Sequence, residues 1–404
     1  MKILQLCSKL PFPEKDGGAI AVGVFTKALL KTGNKVKMLA MNTSKHFVDN
    51  NSIPKEFAET IGLETVYVDI SVKPIAALTH LLRRKSYNVS RFYSDKFEHK
   101  LSEILQKETF DIIQLEGLYV TPYIKTIRKH SDAPVILREH NIEWFIWERL
   151  AKEEKNLIKR KYINALTKQL KAYEKDLLKR CDGITTFTIT DMQHLRDMGC
   201  KIPIAHIPFG IDIPNYRPAP AKEQSSLFYI GALDWRPNIQ GLEWLLQKVW
   251  PKINGAFPQL KFHIAGRNMP EKYKTTQIAG IVFHGEVESA LNFMNDYSIM
   301  VIPLLAGSGV RVKIIEAMAL QKPIITTGIG IEGIECNYEN DIMIANTPEE
   351  FFNATKQLVE NSAFAGQIAL NARCYIETNH DIDKITNHLL VFYKDIISTK
   401  KLIN

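Results

Sequence analysis

The residues with the clearest chemical potential in this 404-residue chain lie in residues 303–319, Pro-Leu-Leu-Ala-Gly-Ser-Gly-Val-Arg-Val-Lys-Ile-Ile-Glu-Ala-Met-Ala. A strand that runs into a glycine-rich turn and then a helix leaves free backbone N–H groups and the positive end of a helix dipole facing a ligand. Gly307, Ser308, Gly309 and Val310 are therefore expected to form an anion-binding turn. The glycines lack a Cβ, so the backbone can approach a diphosphate closely. Arg311 and Lys313 add charge in the expected first helical turn, where cations are unfavourable unless an anion is near. Glu316 lies three and five residues beyond them. Its acceptor-only carboxylate could hold two neighbouring ribose hydroxyls, or simply offset Lys313 at i,i+3 as a surface carboxylate.

Three further positions follow expected strands. Gly17 and Gly18 come between the first strand and its helix, where a glycine pair allows backbone approach to a ligand or merely shapes a turn. His140 follows residues 134–138; its imidazole can donate to a sugar hydroxyl, share charge with a diphosphate, or serve only as a structural histidine. Arg267 follows residues 260–265, where a guanidinium can clamp phosphate bidentately or face solvent.

Elements that position such loops are legible as short β-branched runs alternating with helical stretches. Strands are expected at 2–7, 35–42, 65–70, 111–115, 134–138, 183–188 and 204–208, with the first helix at 19–31. Proline-rich residues 213–220 read as a semi-rigid linker. Strands then resume at 226–231, 260–265, 281–284, 299–304, 323–327 and 341–345, before a mainly helical tail from Pro348. This alternation implies two doubly wound α/β domains with parallel sheets, 1–213 and 214–380, facing each other across a cleft at the carboxyl ends of their strands. A last helix at about 381–404 is expected to pack back on the first domain.

Composition agrees with two globular domains: 45% hydrophobic and 24% charged residues exclude wholesale disorder and a polytopic membrane protein. The apolar run at residues 3–7 is too short for a secretory h-region, so a cytoplasmic protein is expected. Five scattered cysteines show no C-x-x-C and no zinc spacing, and no D-x-D cluster occurs. Neither metal nor cofactor is expected. Residues 328–333 fit G-x-G-x-x-G, but 336–341 read as loop and not helix, which argues against an NAD-dependent enzyme.

Ordered landmarks across nearly the whole chain resemble the retaining glycosyltransferases called family 4, which have the GT-B fold of two Rossmann-like domains. They are residues 13–18, Arg138-Glu-His140-Asn-Ile-Glu143, Ile207-Pro-Phe-Gly-Ile-Asp212, residues 229–238 opening the second domain, and residues 307–323. The resemblance implies that Glu316 is the second acid of the E-x7-E motif, which binds the donor ribose. Ser308 stands where the first acid would contact the transferred sugar, and Ala232 and Gln240 stand where cations are expected. Arg236, Arg267, Arg311 and Lys313 are the available replacements. Residues 284–287, ending in Val287, resemble the base-contacting loop, and His140 belongs to the mid-domain histidine motif.

The implied activity is sugar transfer (hexosyltransferase-like, EC 2.4) from a nucleotide-sugar to a glycan or lipid-linked acceptor in bacterial surface polysaccharide synthesis. A non-catalytic nucleotide-sugar or glycan-binding protein is the alternative. Residues 151–180 carry ten Lys/Arg against four Asp/Glu. Read as one basic helix following Trp144, Trp147 and Leu150, they can attract anionic membrane at its inner face or form a solvated surface. Arg83, Arg84, Lys85 and Arg91 offer a second basic patch for an acidic acceptor. No nucleic-acid partner is expected.

Overall fold

A computed structural model describes the chain except at residues 15, 16, 84, 276, 308 and 404, and gives only the backbone of 50, 77, 78, 82, 274, 275 and 403. Two compact units partition it: Met1–Gly210 with Ile382–Asn404, and Ile211–Asp381.

The first unit holds β1 (Lys2–Cys7), β2 (Lys35–Thr43), β3 (Glu64–Val68), β4 (Ile112–Glu116), β5 (Val135–Glu139), β6 (Gly183–Thr186) and β7 (Ile204–His206). They form one parallel sheet in the order β3-β2-β1-β4-β5-β6-β7. Helices cover both faces of such a sheet, so its strands are mostly apolar; β4 and β5 are buried along their whole length, including the polar Gln114, Glu116, Arg138 and Glu139 toward their carboxyl ends. The second unit holds β8 (Ser226–Ile230), β9 (Lys261–Ala265), β10 (Ile281–Gly285), β11 (Ile299–Ile302), β12 (Ile324–Thr326) and β13 (Met343–Ile344). Their order, β10-β9-β8-β11-β12-β13, repeats the first six positions of the other sheet, again all parallel.

In a doubly wound sheet the crevice for ligands opens where the strand order reverses, beyond the carboxyl ends. These points fall between β1 and β4 and between β8 and β11. The loops after β8 and β11 contain Trp235 and Gly307–Arg311, while Cys7 and Glu116 are register partners at the ends of β1 and β4. Helix Ile382–Ile403 belongs to the first unit, where Lys31 pairs with Asp383 and Tyr393 is fully buried.

The basic stretch is not one helix. Glu143–Glu153 and Leu157–Leu177 are separate helices broken at 154–156, because the Asn156 side chain accepts from the N–H groups of Ile158 and Lys159 and starts the second helix afresh. Trp144 is buried with the Lys171 ammonium 3.8 Å over its ring, whereas Leu150 is exposed. The carboxylate of Glu174 accepts from Trp144 N at 3.3 Å and so caps the neighbouring helix. After β12, residues 328–333 form turns, and the next helix starts only at Pro348, so the G-x-G-x-x-G match lacks the geometry of a dinucleotide site.

Candidate functional site

In the second unit, Gly307 and Gly309 adopt φ of 126° and 80°, conformations that L side chains avoid. A Cβ on Gly307 would also lie 2.7 Å from Arg311 Nη2 and 3.1 Å from the Trp235 ring. Gly307 therefore lets this loop fold tightly around the guanidinium. Ser308, between the two glycines, lies outside the described residues, and Val310 is half-buried. Arg311 was expected inside the helix but is its N-cap residue, with helix Val312–Ala319 starting one position later. Its φ and ψ of −89° and 88° are non-helical, which lets the buried guanidinium turn back onto the loop. There it donates to Gly309 O at 2.8 Å and stands 5.6 Å from the Trp235 ring centroid.

Lys313 reaches from the first helical turn to Ile230 O at the end of β8, at 3.0 Å, over the ring of Tyr229. A Cβ at Gly231 would meet its ammonium at 2.6 Å. Glycine at 231 is thus what admits Lys313 to the switch point. Burial, reinforced by the Arg311 charge and opposed by Glu316, lowers the Lys313 pKa to about 7. Burial likewise raises Glu316 to about 7, against the opposing pull of the Tyr216 hydrogen bond and of Lys313. Tyr216 donates to Glu316 Oε1 at 3.0 Å, and Arg373 Nη1 donates to Tyr216 O at 2.6 Å, fixing that segment.

Gly307, Gly309, Arg311, Lys313 and Glu316 thus share one cluster with Trp235, Tyr229 and Tyr216. Arg236 begins helix Arg236–Trp244 and is exposed; Arg267 follows β9 and is half-buried; Val287 follows β10. Among the described residues, none of these three side chains bonds to the cluster. Arg267 Nε is buried with no hydrogen-bond partner among the described residues.

In the first unit, Gly17 and Gly18 begin helix Gly17–Lys31. Gly18 lines a cavity of about 380 Å³ together with Lys45, Arg91, Glu116, His140 and Glu143. His140 does follow β5, but its Nε2 is 2.8 Å from Glu116 Oε2, and its ring packs 5.0 Å from Phe187. Arg138 Nη1, fully buried, lies 3.2 and 3.3 Å from the two Glu116 oxygens, and its guanidinium stacks 3.6 Å from the Phe25 ring. Burial alone would raise the Glu116 carboxyl; the charge of Arg138 and the His140 hydrogen bond outweigh it and hold the group at about 2. Sequence reading missed Glu116 and Tyr216. The one signal for Glu116 was a charged residue ending the apolar strand β4.

This glycine turn at the β8/β11 switch point lies within the segment matched by a protein-family model, Glycosyl transferases group 1, over residues 224–361. That segment matches a glycosyl transferases group 1 domain. The whole chain is similar to a Klebsiella pneumoniae protein named as an uncharacterized 44.6 kDa protein in the cps region, 25% identical over 393 residues that cover 95% of this chain and 97% of the relative. Among solved structures, sucrose-phosphate synthase of Thermosynechococcus elongatus superposes with a TM-score of 0.72 at 15% identity, covering 99% of this chain and 100% of that one. HepE of Anabaena, in complex with UDP-glucose, gives 0.65 at 13% identity, covering 98% and 100%. The fold is therefore GT-B, two Rossmann-like domains, and the Gly307–Glu316 cluster lies within the segment matched by the group 1 model.

Proposed function

We propose that the protein is a retaining glycosyltransferase that moves a sugar from a nucleotide-sugar to a glycan or lipid-linked acceptor in bacterial surface polysaccharide synthesis. The observation that carries this reading is the grouping, at the β8/β11 switch point of the segment that matches a group 1 domain, of Arg311 on the glycine turn with Lys313 and Glu316 on the helix that follows it. Arg311, Lys313 and the amides of the turn stabilise the charge that develops on the leaving diphosphate, and Glu316 accepts from the ribose hydroxyls. Retention follows by front-face attack, with the leaving diphosphate taking the acceptor's proton. No cofactor or metal has a role in this scheme. The K. pneumoniae relative's place in a cps region supports the polysaccharide assignment, and the UDP-glucose complex of HepE makes a UDP-sugar the first donor to try.

Ser308 in place of an acid favours a second reading, a non-catalytic nucleotide-sugar or glycan-binding protein. Release of nucleoside diphosphate from a donor panel with cell-extract acceptor separates the two. Transfer predicts release by the native chain and its loss in Glu316→Ala; tight donor binding without release under any acceptor supports the binding protein.

A further inference from the structure

The hydrogen bonds around Glu116 have only one consistent sense. An ionised carboxylate accepts and cannot donate, so the Gln114 side chain must turn its NH2 toward Glu116 Oε1 and its carbonyl oxygen away. That oxygen receives the hydroxyl of Tyr393, fully buried on helix Ile382–Ile403. Arg138 donates to both carboxylate oxygens from the next strand. The fourth neighbour, His140 Nε2 at 2.8 Å from Oε2, must therefore be N–H. A neutral imidazole then carries its lone pair on Nδ1. Nδ1 has no protein partner among the described residues, and the His140 side chain, 21% exposed, lines the cavity.

We propose that Glu116 is a positioning residue that makes His140 a hydrogen-bond acceptor toward the cavity, so that this edge takes a donor such as a sugar hydroxyl and rejects a diphosphate oxygen. The buried Tyr393–Gln114 pair fixes the carboxylate in turn, which ties the C-terminal helix to the orientation of His140. That a sugar occupies the cavity rests on the proposed transfer reaction; the tautomer does not.

Nitrogen-15 spectra of His140 in the full chain at pH 8, assigned by its loss in His140→Gln, test the assignment. The native protein should show the Nε2–H tautomer, with no response of Nδ1 to added inorganic pyrophosphate. In Glu116→Gln the amide oxygen must serve Gln114 and Arg138, leaving the NH2 facing His140, so the ring should switch to Nδ1–H and kcat should fall at least tenfold. An Nδ1–H or doubly protonated ring in the native protein, or an Nδ1 signal that shifts with pyrophosphate, overturns the proposal even if the variant does not fold. An unchanged tautomer in a folded variant, or a switched one with unaltered turnover, overturns it as well. The predicted tautomers in a chain that turns over no nucleotide-sugar would count against the transfer reaction and leave the positioning role standing.

Discussion

Lys313 and Glu316 both titrate near pH 7, and for opposite charge types this gives ligand binding a signed proton signature. A diphosphate beside Lys313 favours the ammonium, while ribose hydroxyls on Glu316 favour the carboxylate. At pH 8 Glu316 is already mostly ionised and Lys313 mostly neutral, so binding takes up protons. At pH 6 Lys313 is already charged and Glu316 mostly protonated, so binding releases them. Calorimetry of UDP binding in buffers of differing ionisation enthalpy should show this reversal of sign between pH 8 and pH 6, and uptake that stays the same at both would refute the paired roles. These residues were legible because they lie within one glycine turn and one short helix. Glu116 was not, since its partners Arg138 and His140 are 22 and 24 residues away and meet it only through the β4–β5 pairing.

At the level of elements, the break at 154–156 changes what the basic stretch presents. Residues 155–162 are exposed without interruption, including Leu157 at 63%, Ile158 at 82% and Tyr162 at 42%, beside Lys155, Arg160 and Lys161. Apolar side chains left in water among cations suit the boundary of an anionic bilayer. No helix among the described residues is long and apolar enough to cross a membrane. Sedimentation with vesicles containing phosphatidylglycerol should carry the chain down, and Leu157→Ser with Ile158→Ser should leave most of it in the supernatant. Equal sedimentation with neutral vesicles, or by the double variant, would count against this contact. The sequence pattern marked the charge but not the exposure: helical periodicity alone made Trp144 and Leu150 equivalent, and tertiary packing buries only the first.

For the whole molecule, the parallel sheets follow from the alternation of β-branched runs with helices, whereas their shared strand order, reversing after the third strand of each sheet, is a feature of the fold that the alternation alone does not specify. Strand ends were legible to within a few residues, which sufficed to identify the loops at the switch points. Less legible was the reach of distant segments into a site: Tyr216, from the proline-rich stretch, holds Glu316, and Tyr393, near the end of the chain, holds Gln114. Neither has a local pattern, because each contact depends on tertiary packing alone. The proposed transfer requires the turn ahead of Glu316 to grip a diphosphate through Arg311 and Lys313. Equilibrium titration of UDP into the native chain and into Arg311→Ala tests it most directly. Binding should weaken at least tenfold, about 1.4 kcal/mol, with the variant still folded; binding of equal strength in the two proteins would refute the diphosphate grip.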